Sequence, residues 1–324
     1  MIPKAELHVH LEGTAPPDLV RRLAERNGLP VPSGLFDGSD RFAYDDFLDF
    51  LRTYDLAASV IRSGDDYRDI TYEYLAGCAR DGAVYVELTA SPDHAALVGI
   101  GDAEHMDGIA RGIDDARRDF GIEGRILISA VRNFGVERAL RVARYAAGRP
   151  HDYVVGFSMA GDEENFPAGE YAEAFGTVAA SGLGCTVHAG EWAGPESVWA
   201  ALELPVSRIG HGVRAIEDPA LVDELAAREI VLEVCPTSNV MLGLYPSFEQ
   251  HPLPRLADAG VRVTLGSDDP PYFGASIGGE YAICRERWGF DDRRLRAITR
   301  TALEAAFCEE MLKVSLIRAV QGTV

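Results

Sequence analysis

One pattern recurs along most of the chain: a short apolar segment, rich in residues that favour β-strands, precedes a longer amphipathic segment. Eight apolar segments are predicted to be strands, at residues 6–10, 84–89, 126–131, 153–157, 185–188, 208–211, 231–234 and 261–265. Helix-like segments follow several of them, at residues 102–120, 136–147, 171–180, 218–228 and 247–259. Strands that alternate with helices form parallel sheets, and eight of them can close into a barrel. The pattern therefore predicts an α/β fold of the (β/α)8 TIM-barrel class.

The length of 324 residues fits one such barrel with additions. We predict a single domain over residues 1–324, with a helical insertion at 14–82 after the first strand and further helices at 276–320. An insertion after the first strand emerges at the carboxyl face of the barrel, where barrel enzymes hold their active sites. We therefore expect it to form a pocket wall or a lid, with extra packing helices as the alternative.

The balance of charges restricts the partners of the chain. Its 51 acidic and 31 basic residues give a net charge of −20, which repels phosphate backbones and favours a small neutral substrate over nucleic acid. No apolar run approaches the roughly 20 residues of a membrane span, and the first residues do not resemble a signal peptide. We therefore expect a cytoplasmic protein without a membrane partner. The five cysteines include no C-x-x-C pair and are expected to be reduced thiols. The sequence leaves the oligomeric state open.

Polar residues gather where the predicted strands end. The first strand ends with His8 and His10, the fifth with His188 shortly before Glu191, the sixth with His211, and Asp268 and Asp269 follow the eighth. Each feature alone is common in proteins that bind no metal. Because the carboxyl ends of barrel strands converge, residues far apart in sequence become neighbours there. Together these features predict one site at the mouth of the barrel.

The residue types at this mouth suit metal-assisted hydrolysis. His8, His10, His188 and Asp268 offer three imidazoles and a carboxylate, a set that favours Zn²⁺, with Fe²⁺ or Co²⁺ as alternatives. Zinc lowers the pKa of a bound water from 15.7 towards roughly 7 and so supplies hydroxide at neutral pH. Three neighbouring residues then have expected roles: Glu191 carries a proton, His211 holds the hydroxide and stabilises charge, and Asp269 accepts a hydrogen bond from the substrate.

Together with their flanking motifs, these residues are similar to the adenosine deaminase family of the amidohydrolase superfamily. The motifs follow the family's order over nearly the whole chain: ELHVHLEGT at 6–14, MAGDE at 159–163, TVHAGE at 186–191, RIGHGV at 208–213, LEVCPTSN at 232–239 and SDDPPYFG at 267–274.

The resemblance implies a role for each site residue. One zinc ion per chain would be bound by His8, His10, His188 and Asp268. Glu191 would protonate purine N1 and activate C6, His211 would orient the hydroxide, and Asp269 would hydrogen-bond N7. The backbone N–H of Gly161 would contact N3. The implied reaction is zinc-dependent hydrolysis of adenosine or 2′-deoxyadenosine to inosine or 2′-deoxyinosine, with release of ammonia.

One departure from the family bears on the substrate. Adenosine deaminases carry Asp after H-x-H-L, where it contacts the ribose, and this chain has Glu12. Glu at this place is typical of relatives that deaminate free adenine or modified nucleosides. The MAGDE motif and the run at 194–219 resemble the nucleoside enzymes, however, so we expect adenosine, with free adenine or a modified 6-aminopurine nucleoside as the alternative. Four residues of the insertion would then form the wall beside the sugar: Phe47, Phe50, Leu51 and Tyr54.

Three other classes of protein are compatible with parts of the pattern. A binuclear hydrolase of the same superfamily commonly has a bridging Lys or Glu at the end of the fourth strand, whereas this chain reads Ser158-Met159-Ala160 there. A barrel that only binds a ligand would have no need of Glu191 and His211. A zinc deaminase of nucleic acids would carry H-x-E and P-C-x-x-C motifs, which the sequence lacks.

Overall fold

The computed structural model of the chain describes residues 2–321. Its eight strands form one parallel sheet in chain order. The strands are β1 Lys4–Glu6, β2 Ala83–Ala90, β3 Glu123–Val131, β4 Val154–Ala160, β5 Gly184–Ala189, β6 Arg208–His211, β7 Val231–Val234 and β8 Arg262–Leu265. A parallel bridge between Val9 and Asp268 joins the segments that follow β1 and β8. The predicted TIM barrel is therefore confirmed.

Helices connect the strands and surround the sheet. They are α1 Pro17–Arg26, α2 Phe47–Ala58, α3 Gly64–Arg80, α4 Pro92–Leu97, α5 Asp102–Phe120, α6 Val136–Ala147, α7 Ala172–Ala180, α8 Pro195–Ala201, α9 Pro219–Ala227, α10 Pro236–Met241, α11 Leu253–Asp258, α12 Pro270–Phe273, α13 Ile277–Trp288, α14 Asp292–Ala305 and α15 Glu310–Gln321. Helices α1 to α3 lie between β1 and β2, and α13 to α15 follow the last strand.

The strands are buried because helices cover one face and barrel side chains fill the other. Every residue of β6 and β7 is buried, as is typical of parallel strands covered by helices. A cluster of three charged side chains lies inside the barrel. Arg208 is fully buried and forms ion pairs with Glu87 and Glu233, each at 2.6 Å. Buried charges are tolerated when they are paired in this way.

The insertion after β1 is held by helix caps and by close contact between helices. Asp46 accepts a hydrogen bond from the Asp49 N–H at the start of α2, and Ser63 does the same for α3 through Asp66. Helix α3 packs against α5, where a Cβ at Gly108 would lie 2.2 Å from the Gly64 oxygen. The contact requires glycine at Gly108, so it fixes the insertion against the barrel.

Two elements differ from those predicted. The predicted helix at 247–259 is a short 3₁₀ turn, Phe248–Gln250, followed by α11, because Pro252 lacks the N–H that a continuous helix would need. The predicted first strand at 6–10 overlaps β1 only at Glu6. The rest of it continues as extended backbone, where Val9 is bridged to Asp268 after β8 and His10 to Thr89 of β2. Within residues 2–321, all five cysteines are free and buried, and no helix is long and apolar enough to cross a membrane.

Candidate active site

Four candidate metal ligands meet at the carboxyl face of the barrel. The ligand atoms of His8, His10, His188 and Asp268 all lie within 4.8 Å of one another. The Nε2 atoms of His10 and His188 are 3.2 Å apart, and Asp268 Oδ1 lies 3.5 Å from His8 Nε2 and 3.3 Å from His10 Nε2. The structure thus brings together all four residues that the sequence predicts as ligands.

The other side of three of these ligands is held by a protein group. His8 Nδ1 lies 3.0 Å from Glu233, and His188 Nδ1 lies 3.0 Å from the Met159 oxygen. The Ser238 hydroxyl donates to Asp268 Oδ2 at 2.6 Å. Such contacts leave the Nε2 atoms facing inward and fix the ring orientations, as in protein metal sites.

The geometry of the four residues fits a zinc ion. Ligands at about 2.0–2.1 Å from a tetrahedral zinc are about 3.4 Å apart, close to the separations between these atoms. The buried His8 Nε2 has no hydrogen-bond partner among the described residues, which a cation would supply. Burial opposes ionisation of Asp268, but the adjacent imidazoles of His10 and His8 lower its pKa well below the usual range. The carboxylate is therefore charged, as a metal ligand requires.

Glu191 lies beside these ligands on a segment held by another carboxylate. The two oxygens of Glu163 accept hydrogen bonds from the N–H groups of Gly190, Glu191 and Ala193 at 2.7–3.0 Å, and from the Ser197 hydroxyl at 2.9 Å. Glu163 itself is buried. It therefore fixes the backbone that carries Glu191.

The surroundings of Glu191 favour its protonated form. Burial raises the pKa of Glu191 well above its usual range, and the nearby charges of Asp268 and Glu163 raise it further. Its Oε1 lies 3.7 Å from His211 Nε2. A carboxyl group that retains its proton near neutral pH can donate that proton to a bound molecule.

Two site residues adopt backbone conformations that L-amino acids rarely adopt. His211 has φ of 59° and Asp268 has φ of 63°. Such conformations cost of order 1 kcal/mol or more and persist where the surrounding structure determines them. They direct both side chains into the same space, where His211 Nε2 lies 3.9 Å from Asp268 Oδ2.

Asp269 faces the cavity from the segment after β8. It is buried, and its Oδ1 has no hydrogen-bond partner within the described part of the chain. Burial raises the pKa of Asp269 well above its usual range, and the charge of Asp268 adds to this effect. The surroundings thus favour the protonated form of Asp269, and its Oδ1 is available to a ligand. A Cβ at Gly13 would lie 1.8 Å from Asp269 Oδ1, so the close approach requires glycine there.

A cavity of about 140 Å³ adjoins these residues. Its lining includes every candidate substrate residue, Glu12, Gly161 and Asp269, and the four insertion residues predicted from the sequence, Phe47, Phe50, Leu51 and Tyr54. Gly161 has φ of 106°, and a Cβ there would lie 2.3 Å from Asn133 Oδ1. The cavity is therefore closed on one side by α2 and on another by the segment after β4.

Glu12 is fixed at the edge of this cavity. Only 3% of its surface is exposed, and its carboxylate accepts hydrogen bonds from the Ser91 N–H at 3.1 Å and from the hydroxyls of Tyr54 and Tyr67 at 3.4 Å each. The buried His105 also lies nearby, with its Nε2 3.9 Å from the Glu12 carboxylate. A carboxylate held by three donors has little freedom to move aside for a larger ligand.

Several residues at the site have no role assigned from the sequence. Glu163, Glu233, Ser238 and Asn239 stand in or beside quoted motifs, and their contacts with the site residues depend on the fold. His94 lines the cavity and lies 3.0 Å from Asp55, which also lines it. No motif marks His94, so the sequence offered no signal for it.

The whole chain is similar to known proteins. The family model described as adenosine deaminase matches residues 3–323. An adenine deaminase of Agrobacterium fabrum is 47% identical over 97% of this chain and 96% of that protein. The crystal structure of an adenine deaminase from Arthrobacter aurescens superposes with a TM-score of 0.93 at 28% identity, covering 99% of this chain and 98% of that one. An amidohydrolase from Burkholderia ambifaria, solved with bound zinc, has a TM-score of 0.89 at 26% identity and covers 99% of this chain and 90% of that one.

The expectation that this chain acts on adenosine is wrong, because the relatives similar over its full length are named adenine deaminases. The MAGDE motif had favoured a nucleoside substrate, but its two carboxylates form hydrogen bonds with other groups of the protein. Asp162 accepts from the N–H and the side-chain amide of Asn165, while Glu163 holds the Glu191 segment. The two carboxylates of the motif therefore stabilise the local structure, including the segment that carries Glu191, and do not indicate that the substrate has a sugar.

The other comparisons agree with the site geometry. Four findings identify one class of hydrolytic deaminase. They are the ordered motifs, the TIM barrel, the cluster of residues that could hold a cation, and the family model that covers nearly every residue. The chain belongs to the adenosine deaminase family.

Proposed function

We propose that this protein deaminates free adenine, using water to form hypoxanthine and ammonia. The observation that carries the proposal is Glu12, a buried carboxylate held by three donors at the edge of the cavity. Free adenine has a ring N–H at the position where a nucleoside carries its sugar. A fixed carboxylate can accept a hydrogen bond from this N–H, whereas a nucleoside offers no donor there.

The names of the relatives support this assignment. The relatives that are 45–47% identical over nearly the full length are described as adenine deaminases, and so is the solved structure from Arthrobacter aurescens. The aromatic residues of α2, including Phe47 and Phe50, then cover the base. We therefore propose that residues 14–82 form the wall of the pocket within a single catalytic domain.

We propose that one zinc ion is held by His8, His10, His188 and Asp268. When bound, zinc lowers the pKa of water and so supplies a nucleophile at neutral pH. The donor set, the short separations between the ligand atoms and the unpartnered His8 Nε2 support this assignment. The zinc-bound neighbour from Burkholderia ambifaria also supports it.

Residues around the cavity would supply the remaining steps. Glu191, protonated because it is buried near other carboxylates, donates its proton to ring N1 and makes C6 more susceptible to attack. His211 orients the attacking group and stabilises charge that develops on it. The protonated Asp269 donates a hydrogen bond to N7, and the N–H of Gly161 donates to N3. These contacts hold the ring plane fixed while C6 reacts.

Initial-rate measurements on the zinc-loaded protein test this proposal. Ammonia release and loss of purine absorbance are compared for adenine, adenosine, 2′-deoxyadenosine and N6-modified analogues. We expect the highest kcat/KM for adenine, with hypoxanthine as the product. A higher kcat/KM for any nucleoside would overturn the substrate assignment, and two metal ions per chain with phosphoesterase activity would indicate a binuclear hydrolase.

A further inference from the structure

A chain of hydrogen bonds links the backbone of α11 to the ring of His211. The Leu253 N–H donates to His251 Nδ1 at 3.2 Å. His251 Nε2 lies 3.1 Å from Asn239 Oδ1, and Asn239 Nδ2 lies 3.2 Å from His211 Nδ1. All three side chains are at least 98% buried, with exposed fractions of 2%, 0% and 1% in that order.

His251, at the outer end of this chain, is neutral near pH 7, because burial lowers its pKa to about 3. A neutral imidazole has one nitrogen that donates and one that accepts. The state of either nitrogen therefore determines the state of the other.

The backbone N–H at Leu253 sets the direction of the whole chain. It can only donate, so His251 Nδ1 accepts and His251 Nε2 carries the hydrogen. His251 Nε2 then donates to the amide oxygen of Asn239, which turns the Asn239 NH₂ group toward His211. His211 Nδ1 must accept from that NH₂ group, so the ring hydrogen of His211 is on Nε2.

We infer that Asn239 and His251 are positioning residues that hold His211 in the tautomer with hydrogen on Nε2. This nitrogen points into the site, 3.7 Å from Glu191 Oε1 and 3.9 Å from Asp268 Oδ2. In this tautomer His211 meets the attacking oxygen as a hydrogen-bond donor and cannot take a proton from it at Nε2. The inference depends on the proposed function only for the identity of the reaction.

The surroundings prevent the chain from reversing. The Asn239 oxygen of the backbone accepts hydrogen bonds from the Leu244 N–H at 3.0 Å and the Tyr245 N–H at 3.3 Å, which fixes the residue that carries the amide. The ring of His251 lies between those of Tyr245 and Trp288, with centroids 5.1 and 5.6 Å away. The positions of Asn239 and His251 are thus fixed, and the Leu253 N–H sets the direction of the hydrogen bonds between them.

Nitrogen NMR of the histidine rings tests the inference directly. The zinc-loaded protein, labelled with ¹⁵N-histidine and perdeuterated, is compared with Asn239→Asp, and the His211 signals are assigned with His211→Asn. In the wild type we expect His211 Nε2 to be protonated. In Asn239→Asp a carboxylate replaces the amide and accepts from both rings, so we expect the hydrogen of His211 to move to Nδ1.

The change of tautomer should reduce turnover with little effect on substrate binding. We expect kcat of Asn239→Asp to fall by about 100-fold, the usual effect of losing one donor to a developing charge, with KM within about threefold of the wild type. His251→Phe keeps the packing with Tyr245 and Trp288 but frees the amide. We expect this neutral variant to show both tautomers of His211 and an intermediate kcat.

Tyr245→Phe is the matched control, because it removes a hydroxyl beside His251 and leaves the hydrogen-bond chain intact. We expect it to preserve both the tautomer and kcat. A wild-type His211 with its hydrogen on Nδ1 would overturn the inference, as would an Asn239→Asp variant that keeps the wild-type tautomer or a kcat within twofold. If adenine were not a substrate, the wild type would form no hypoxanthine, yet the tautomer measurement would stand.

Discussion

The chemistry at the residue scale depends on where each carboxyl group lies. Asp268 and Asp269 are adjacent in the sequence, yet the imidazoles of His10 and His8 lower the pKa of Asp268, whereas burial and the charge of Asp268 raise that of Asp269. The surroundings therefore favour the charged form of Asp268, which suits a metal, and the neutral form of Asp269, which suits a hydrogen-bond donor. Glu191 resembles Asp269, because burial raises its pKa well above the usual range and favours its protonated form. Environments that push pKa values apart assign different roles to identical side chains.

Glu191→Gln is expected to bind zinc with the wild-type stoichiometry and to lose kcat by at least about 100-fold. Glutamine has nearly the same shape but cannot transfer a proton, so the ligand sphere remains while general acid catalysis is lost. Steady-state kinetics with adenine and metal analysis of the same preparation measure both effects. Glu164→Gln, a change at an exposed glutamate, should behave as the wild type. A kcat near the wild-type value in Glu191→Gln would show that its assigned role is wrong.

The sequence could predict the four candidate metal ligands because each stands beside a strand whose apolar run is easily recognised. His188, for example, is the fifth residue of β5, and Asp268 follows β8 after two residues. The role of Asn239 could not be predicted in this way, because it depends on contacts with His211 and His251, which belong to other segments. Ligand positions follow from local pattern, whereas the hydrogen-bond partners that orient them follow from tertiary structure.

At the scale of elements, the segment after β5 is held from a distance. Glu163, which follows β4, accepts four hydrogen bonds from residues 190–197 and so fixes the segment that carries Glu191. A carboxylate can accept all four, because both of its oxygens are acceptors. An amide in the same place would turn an NH₂ group toward two of these donors.

Glu163→Gln is therefore expected to lower kcat by about 10-fold or more and to reduce stability by about 1–3 kcal/mol, because buried donors lose their acceptors. Kinetics with adenine and urea unfolding measure the two effects, and metal analysis shows whether the zinc content is kept. Glu164→Gln, one residue further and exposed, serves as the control. Unchanged kinetics and stability in Glu163→Gln would mean that the segment holds its position without these hydrogen bonds.

The order of the helices and strands was predicted better than the residues at which each one begins and ends. Helices α5 and α6 coincide with the predicted segments at 102–120 and 136–147, since a glycine flanks each end and the amphipathic pattern stops there. The predicted helix at 247–259 failed because Pro252 interrupts it, even though apolar residues continue on one face. The first strand was predicted too far along the chain, because residues 7–10 continue as extended backbone in which Val9 and His10 form only isolated bridges. Periodicity alone cannot distinguish a strand from extended backbone.

Helix α13 carries a buried acid that makes stability depend on pH. Burial raises the pKa of Glu280 from 4.5 to about 8. Between these values the unfolded chain releases the proton and the folded protein retains it, so the free energy of unfolding falls as the pH rises. Glutamine cannot ionise, so Glu280→Gln should lack this decline.

We expect the stability of Glu280→Gln relative to the wild type to increase by about 2 kcal/mol between pH 6 and pH 8, at about 1.4 kcal/mol per pH unit while only the unfolded state is ionised. Urea unfolding of both zinc-loaded proteins at the two pH values measures the difference. Glu286→Gln, a change at an exposed glutamate on the same helix, is the control and should follow the wild type. Parallel pH dependence in Glu280→Gln and the wild type would contradict the prediction.

At the scale of the whole molecule, the proposed zinc ion joins the two ends of the barrel. His8 and His10 follow the first strand, and Asp268 follows the last, where a bridge between Val9 and Asp268 joins the two segments. A cation bound to all of them closes the barrel at this seam. Because a ligand that binds only the folded state stabilises it, the metal should contribute to the stability of the fold as well as to the reaction.

Removal of zinc by a chelator is therefore expected to abolish turnover and to lower the midpoint of thermal unfolding together. At a free zinc concentration about 1,000 times Kd, the lost stabilisation is about 4 kcal/mol. His8→Ala removes one ligand and should lose metal and activity together, so the chelator should not lower its midpoint further. Measuring turnover and the unfolding midpoint together separates the role of the ion in the reaction from its role in stability. If chelation abolished turnover but left the wild-type midpoint unchanged, the metal would serve the chemistry without closing the barrel.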